Sequence, residues 1–167
     1  GGGKFFPSSN DADWIAKIER NDTVGFQLNE KGITISIFED LKKIPDQFSM
    51  FKNIHSQIYI QAGIYAQEKN FGDVLILNSD DNIIEATSSN VFLVSRGDLF
   101  TPKLSSGPVG GVMRAAIMNL AISMGIKVFE CNLTPQELLR ADEVFLTNAV
   151  HGIRWVSSYR TKRYFNK

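Results

Sequence analysis

Glu85-Ala-Thr-Ser-Ser-Asn90-Val-Phe92, then Leu99-Phe-Thr101, then Gly111-Val-Met-Arg114 is the stretch on which the reading of this chain turns. It sets one carboxylate at a strand end, follows it with a Ser/Asn turn and a second strand, and closes on a glycine entry into a helix. A strand-end carboxylate suits a flat cationic ring. The N–H groups and dipole of a helix N-terminus suit a phosphate. Upstream, Phe51-Lys52-Asn53-Ile54 sets a lysine among apolar neighbours.

Outward from that stretch the chain alternates strands and helices. Ser56 to Asn70 has helical periodicity through Ile58, Ala62, Tyr65 and Ala66, with Gly72 just past its end. Asp73 to Asn78 reads as a strand, Ser79 to Asn82 as a turn, and Val91 to Val94 with Leu99-Phe100 as a hairpin closed by Arg96-Gly97-Asp98. Val112 to Met124 is an amphipathic helix with Ile117, Leu120, Ala121 and Met124 on one side. Lys127 to Phe129 is a short strand. Thr134-Pro-Gln-Glu137 is a capping box with proline in the first helical position. Glu143 to Thr147 is another strand, and Val150 to Tyr164 a last hairpin. Before Phe51 the chain is mixed: Gly32 to Phe38 alternates as a strand, and Glu39 to Gln47, with Pro45, reads as a connector. The expected class is α/β with a mixed sheet and packed helices.

Composition narrows the field of partners. The 167 residues are 43% hydrophobic, with 18 basic against 18 acidic side chains. That balance gives no electrostatic reason to expect nucleic acid or a membrane surface. The one cysteine, Cys131, cannot form an intrachain disulfide, and no Cys/His cluster suggests a metal. No run is long and apolar enough to span a bilayer and no secretory leader is read, so the cytoplasm is the expected compartment. The Gly1-Gly-Gly-Lys4 opening lacks the preceding strand and the GK[ST] helix start of a phosphate loop, and reads as a tag remnant or a turn. Both ends read as cuts through a longer chain.

Each candidate group has two readings. Lys52 is either a surface lysine laying its stem on apolar neighbours, or an amine whose desolvation favours the neutral, nucleophilic form needed to attack an aldehyde and to carry protons at carbon. Glu85 is either a solvated strand-end carboxylate or the partner of a protonated pyridine nitrogen. Ser88, Ser89 and Asn90 form a plain Ser/Asn turn or order the loop around that ring. Gly110-Gly111 opens an ordinary helix or a phosphate site, and Thr147-Asn148-Ala149 ends a strand or adds donors to the same phosphate. His55 is a helix-entry histidine or tunes the lysine; His151 faces solvent or substrate. Trp14 and Trp155 read as core or interface residues. Taken together, a carboxylate, a phosphate cradle and an apolar lysine point to pyridoxal phosphate chemistry.

In order and spacing, Glu85 to Arg114 resembles the signature of the class IV (fold type IV) pyridoxal-phosphate-dependent aminotransferases: Glu, small residue, Asn, apolar, Phe; apolar-x-Thr; Gly-apolar-x-Arg. Lys52 precedes Glu85 by the interval these enzymes use. Ala62, Ala66, Asp142-Glu143 and Phe145-Leu-Thr147 also fall where the family has Ala, Ala, Asp-Glu and apolar-Leu/Ser-Thr. The resemblance covers roughly residues 50–156. It implies the C-terminal domain of a fold type IV enzyme over 51–167, preceded at 1–50 by the end of an N-terminal α/β domain and its linker. It also implies Lys52 as the catalytic Schiff-base lysine, Glu85 at the ring nitrogen and Ser88 beside the cofactor. The phosphate falls to the backbone of Val112 and Met113 with Asn148 and Ala149, and Arg114 becomes a brace behind the site. A small amino substrate, a homodimer and no metal follow from the same resemblance.

The chain departs from the family at His55 and Ser56, where an Asn and often an aromatic are usual. The family's phosphate-clamping arginine of the N-terminal domain is not in this sequence. These 167 residues alone are therefore expected to bind the cofactor weakly. Gly-Val-Met-Arg114 and Thr-Asn148-Ala149 are more similar to the 4-amino-4-deoxychorismate lyases than to the branched-chain and D-amino-acid aminotransferases, which typically carry Gly-Ile-Thr-Arg and Gly-Thr-Ala. Lyase activity is thus expected slightly ahead of transamination. The non-enzymatic alternative is an inactive, truncated paralogue kept as an interaction module.

Overall fold

The structure, a computed structural model, describes residues 5–6, 8–19 and 25–165; the glycine run at 1–3 and the chain end at 166–167 lie outside the described residues. Twelve elements follow in order: β1 Ile33–Lys43, α1 Gln57–Glu68, β2 Asp73–Asn78, β3 Ile83–Ala86, β4 Asn90–Ser95, β5 Asp98–Pro102, α2 Val112–Ser123, β6 Val128–Cys131, α3 Pro135–Arg140, β7 Glu143–Asn148, β8 Gly152–Tyr159 and β9 Lys162–Arg163. The strands form one mixed sheet in the order β3-β2-β1-β8-β7-β4-β5-β6, with β9 paired to β8. β1 runs parallel to both β2 and β8, and β5 runs parallel to β6; the other pairs are antiparallel.

Alternation along the strands decides which residues face which layer. Ile35, Ile37, Leu75, Leu77, Val91, Leu93, Val144 and Leu146 share one core with Leu138 of α3. The neighbours between them point the other way: Phe38, Val74, Ile76 and Ile84 pack against Ala62 and Ala66 of α1, while Phe92 and Leu99 pack against Ala121 of α2. α3 starts as its sequence predicts, with the Glu137 carboxylate accepting the N–H of Thr134 at 2.6 Å. It is held at its far side by the Tyr164 hydroxyl, which donates to the Leu138 carbonyl at 2.6 Å.

Two sequence expectations change. The strand expected over Gly32 to Phe38 continues to Lys43, through residues read as a connector. Phe38 lies opposite Ile76 and Lys43 opposite Asn78, so β1 bulges between these two pairings before Lys43 rejoins the sheet. The charged run Glu39-Asp40 and Lys42 is exposed, which is why it reads as a loop. The second change concerns the division at residue 50: β1 lies ahead of it, yet it is hydrogen-bonded between β2 and β8 and is internal to this sheet. On α2, Ala121 is buried as expected, while Leu120 and Met124 are exposed.

Burial raises the Tyr164 hydroxyl above the ordinary value of 10.0, with Tyr159 adding to the effect. Burial likewise raises Tyr59, assisted by the charge of Glu85 and by the hydrogen bond to it. Both groups hold their proton in the folded chain at pH values where the unfolded chain has lost it. Their stabilising contribution is complete below the unfolded value and is lost as pH rises through the folded one. The urea midpoint is therefore expected to be level from about pH 8 to about pH 9.5 and to fall above about pH 10, less steeply in Tyr164→Phe. A parent protein whose midpoint stays level to about pH 11 contradicts this.

Candidate active site

Glu85 lies on β3 opposite Ile76 and is 3% exposed. Its Oε1 accepts the Tyr59 hydroxyl at 2.7 Å and the Lys43 ammonium at 3.2 Å; its Oε2 accepts the backbone N–H of Val109 at 2.9 Å. A buried carboxylate with a cation and a phenol on one oxygen is not the solvated strand-end acid of the bland reading. Lys43 comes from the end of β1, beyond its bulge, and Tyr59 from the first turn of α1, on the face that carries Ala62 and Ala66.

Val109 ties the two ends of the site together. Its N–H is on Glu85, and its carbonyl accepts the Asn90 side-chain amide at 2.8 Å. Two residues later Gly111 is the N-cap of α2, with no side-chain cap. A Cβ at Gly111 would collide with Asn90 Oδ1, so glycine is required by the close approach of backbone and amide. The first-turn N–H groups of α2, those of Val112 and Met113 among them, have no intrahelical acceptor, and Val112 is exposed. Asn90 also pairs with Thr147 across β4 and β7, which brings the end of β7 alongside the same loop.

At that end Asn148 donates to the Ser88 carbonyl at 3.4 Å and the Ser89 hydroxyl at 3.1 Å. Its Oδ1 accepts the N–H groups of Val150 and His151, which shapes the turn around Ala149. The Thr147 hydroxyl is buried and has no partner among the described residues. His151 lines an open cleft of about 190 Å³ with Gln27, Asn29 and Arg154. Arg114 is 5% exposed and its guanidinium donates to the Pro102 carbonyl at 2.9 Å and to Glu130, which makes it a brace under the start of α2.

Lys52 is exposed, on the loop between β1 and α1. That loop is tied to the site by the Met50 carbonyl, which accepts the Gly110 N–H at 2.8 Å. It is shaped by Asn53, whose Oδ1 accepts the His55 N–H at 2.9 Å; His55 itself is exposed. The structure thus gathers Glu85, Ser88, Asn90, the α2 entry and Asn148 around one loop, with the Lys52 segment tied to its edge. It adds Lys43 and Tyr59, which sequence reading missed. Lys42-Lys43 reads as a surface charge pair, and only the inward face shared with Ala62 and Ala66 marks Tyr59.

Gly111→Ala is expected to push Asn90 off Val109 and to cost about 1–3 kcal/mol, as overpacking does. A urea midpoint equal to that of the parent would show that the loop yields freely.

The groups present suit pyridoxal 5'-phosphate. Glu85 Oε2 carries one hydrogen bond and retains acceptor capacity, the α2 entry offers uncapped N–H donors, and Thr147 adds a buried hydroxyl without a partner.

Comparison with known proteins agrees with this chemistry. The family model for amino-transferase class IV matches residues 4–159. Enzymes of that family use pyridoxal phosphate. Branched-chain-amino-acid aminotransferase 1, mitochondrial, from Arabidopsis thaliana is 37% identical over 99 residues, which cover 58% of this chain and 26% of that protein. Aminodeoxychorismate lyase from Vibrio harveyi is 33% identical over 130 residues, covering 77% and 47% respectively. The solved branched-chain amino acid aminotransferase from Escherichia coli superposes with a TM-score of 0.75 at 28% identity, over 79% of this chain and 45% of that one. The matched region thus spans less than half the length of each of these proteins.

Proposed function

Because the chain belongs to the class IV aminotransferases, we propose that it forms the cofactor-holding part of a 4-amino-4-deoxychorismate lyase, which yields 4-aminobenzoate and pyruvate. The observation that carries the cofactor assignment is the buried Glu85 carboxylate, bonded through Val109 to the loop that opens α2 without a side-chain cap.

Pyridoxal phosphate, when bound, supplies an electron sink for the electron pair freed at the carbon bearing the substrate's amino group. The chain's own residues do the rest. Glu85 holds the ring nitrogen through Oε2, and Ser88 lies beside the ring. The backbone N–H groups of Val112 and Met113, with those of Asn148 and Ala149, hold the phosphate. Lys52 is the residue whose amine would bond the aldehyde carbon, the aldehyde oxygen leaving as water, and which as a free amine would take the proton from the amino-bearing carbon. Lys43 is not a candidate for that task while it bonds Glu85, because ring nitrogen and aldehyde sit at opposite ends of the pyridine.

Lyase activity is favoured by Gly-Val-Met-Arg114 and Thr-Asn148-Ala149, and by the share of this chain, 77%, that aligns with the lyase from Vibrio harveyi. The second reading is a branched-chain or D-amino-acid aminotransferase, and the 37% identity to the Arabidopsis thaliana branched-chain enzyme favours its branched-chain form. Full-length protein supplied with aminodeoxychorismate is expected to release 4-aminobenzoate and pyruvate. Glutamate formed from a branched-chain or D-amino acid and 2-oxoglutarate, without 4-aminobenzoate, would instead make it the aminotransferase. The reading extends to a cytoplasmic homodimer acting on a small amino substrate, and sedimentation of the full-length protein tests the dimer. Among the described residues no helix is long and apolar enough to cross a membrane.

A further inference from the structure

Lys43 is a half-buried cation outside the set of residues that the chemistry requires. An ammonium has three protons to donate, and here each has an acceptor: the Ser49 carbonyl at 3.4 Å, the Tyr59 hydroxyl at 2.7 Å and Glu85 Oε1 at 3.2 Å. The same ammonium lies 5.4 Å from the centre of the Tyr59 ring. Tyr59 passes its own proton on toward Glu85 Oε1 at 2.7 Å. The side chains of the pair are 16% and 4% exposed, so water does little to solvate either charge. Asp46, exposed on the loop that follows, is a second carboxylate in the neighbourhood, held below its usual range by the Phe48 N–H and the Ser49 hydroxyl, with Lys43 contributing least.

We propose that Lys43 is a positioning residue for the cofactor ring: its ammonium pairs with Glu85 and, with the Tyr59 hydroxyl, commits Oε1, so that the ring nitrogen is met by Oε2. The inference rests on the assignment of Glu85 to the ring nitrogen. A buried carboxylate left without its cation favours the protonated form. A protonated Glu85 would no longer balance a pyridinium. Lys43 therefore acts through Glu85 and touches no reacting atom.

The test is cofactor affinity as a function of pH in the full-length protein, by titrating apoprotein with pyridoxal phosphate. Lys43→Gln keeps a donor and loses the charge, whereas Lys43→Arg keeps the charge. Lys43→Arg is expected to follow the parent's affinity profile from about pH 8.5 to about pH 6, while Lys43→Gln loses about tenfold or more relative to the parent across that range. A Lys43→Gln profile parallel to the parent overturns the inference, as does equal weakening in Lys43→Arg. Glu85→Gln separates this from the underlying assignment. If Glu85→Gln binds as tightly as the parent, the ring-nitrogen reading itself fails; if only Glu85→Gln weakens, Lys43 alone is wrongly placed. Should Lys43→Gln not fold, the Lys43→Gln/Glu85→Gln double variant is expected to fold better than that single variant, because both charges leave together. A double variant no more stable than Lys43→Gln overturns the pairing.

Discussion

Lys52→Ala in the full-length protein is expected to reduce turnover about 10³-fold or more. The magnitude follows from two roles vested in one amine, covalent attachment of the aldehyde and proton transfer at the amino-bearing carbon. Turnover alone would not distinguish a lost amine from a distorted loop, so attachment must be read directly. Borohydride reduction of the loaded parent, followed by peptide mass analysis, is expected to leave the pyridoxyl group on the peptide containing Lys52. In Lys52→Ala no lysine should carry it in comparable yield. A label found on Lys43 instead would reverse the roles given to the two lysines, and parent-like activity in Lys52→Ala would remove the assignment altogether. Lys52 is exposed in the described fold, as the surface-lysine reading expects, so the labelling result decides its role. Its loop is tied to the α2 entry by the Gly110 N–H, which donates to the Met50 carbonyl.

Phe92→Ala is the substitution expected to cost most in stability, about 3–5 kcal/mol. Phe92 is fully buried, stacks on Phe145 with ring centroids 5.1 Å apart at 9°, and fills the space between β4 and Ala121 of α2. Removing the ring leaves a cavity under α2, the helix whose N-terminus is proposed to hold the phosphate. A loss of that size is a large part of the 5–15 kcal/mol typical of a whole domain. It should lower the urea midpoint by about 1.5–2.5 M at an m-value of about 2 kcal/mol/M. Phe129→Ala is the control, because its ring also stacks, on Phe100 at 5.1 Å, but is 43% exposed. Equal losses in the two variants would show that burial does not set the cost.

Local signals carried most of the fold. The β4–β5 hairpin was readable because two apolar runs, Val91 to Val94 and Leu99-Phe100, flank Arg96-Gly97-Asp98. The structure gives both residues positive φ, +53° and +82°, as a tight hairpin turn requires. α3 was readable because Thr134, Pro135 and Glu137 each act within one turn. The far half of β1 was not, because Glu39 to Lys43 looks like solvent-facing loop until β2 is known to lie beside it. The site divides along the same line. Glu85, Asn90, Gly111 and Asn148 sit at fixed positions in a recognisable order. Lys43 and Tyr59 reach Glu85 across 42 and 26 residues of sequence, and nothing local to either one announces that contact.

The peptide group of Val109 has a consequence for how such a site changes over time. It steadies the carboxylate with its N–H and locks to Asn90 through the next carbonyl, so the span from Glu85 to Asn90 is set by covalent backbone geometry. Side chains along the rim, His151 and Gln27 among them, take no part in that span. Substitution at either leaves the tie from Glu85 to Asn90 in place.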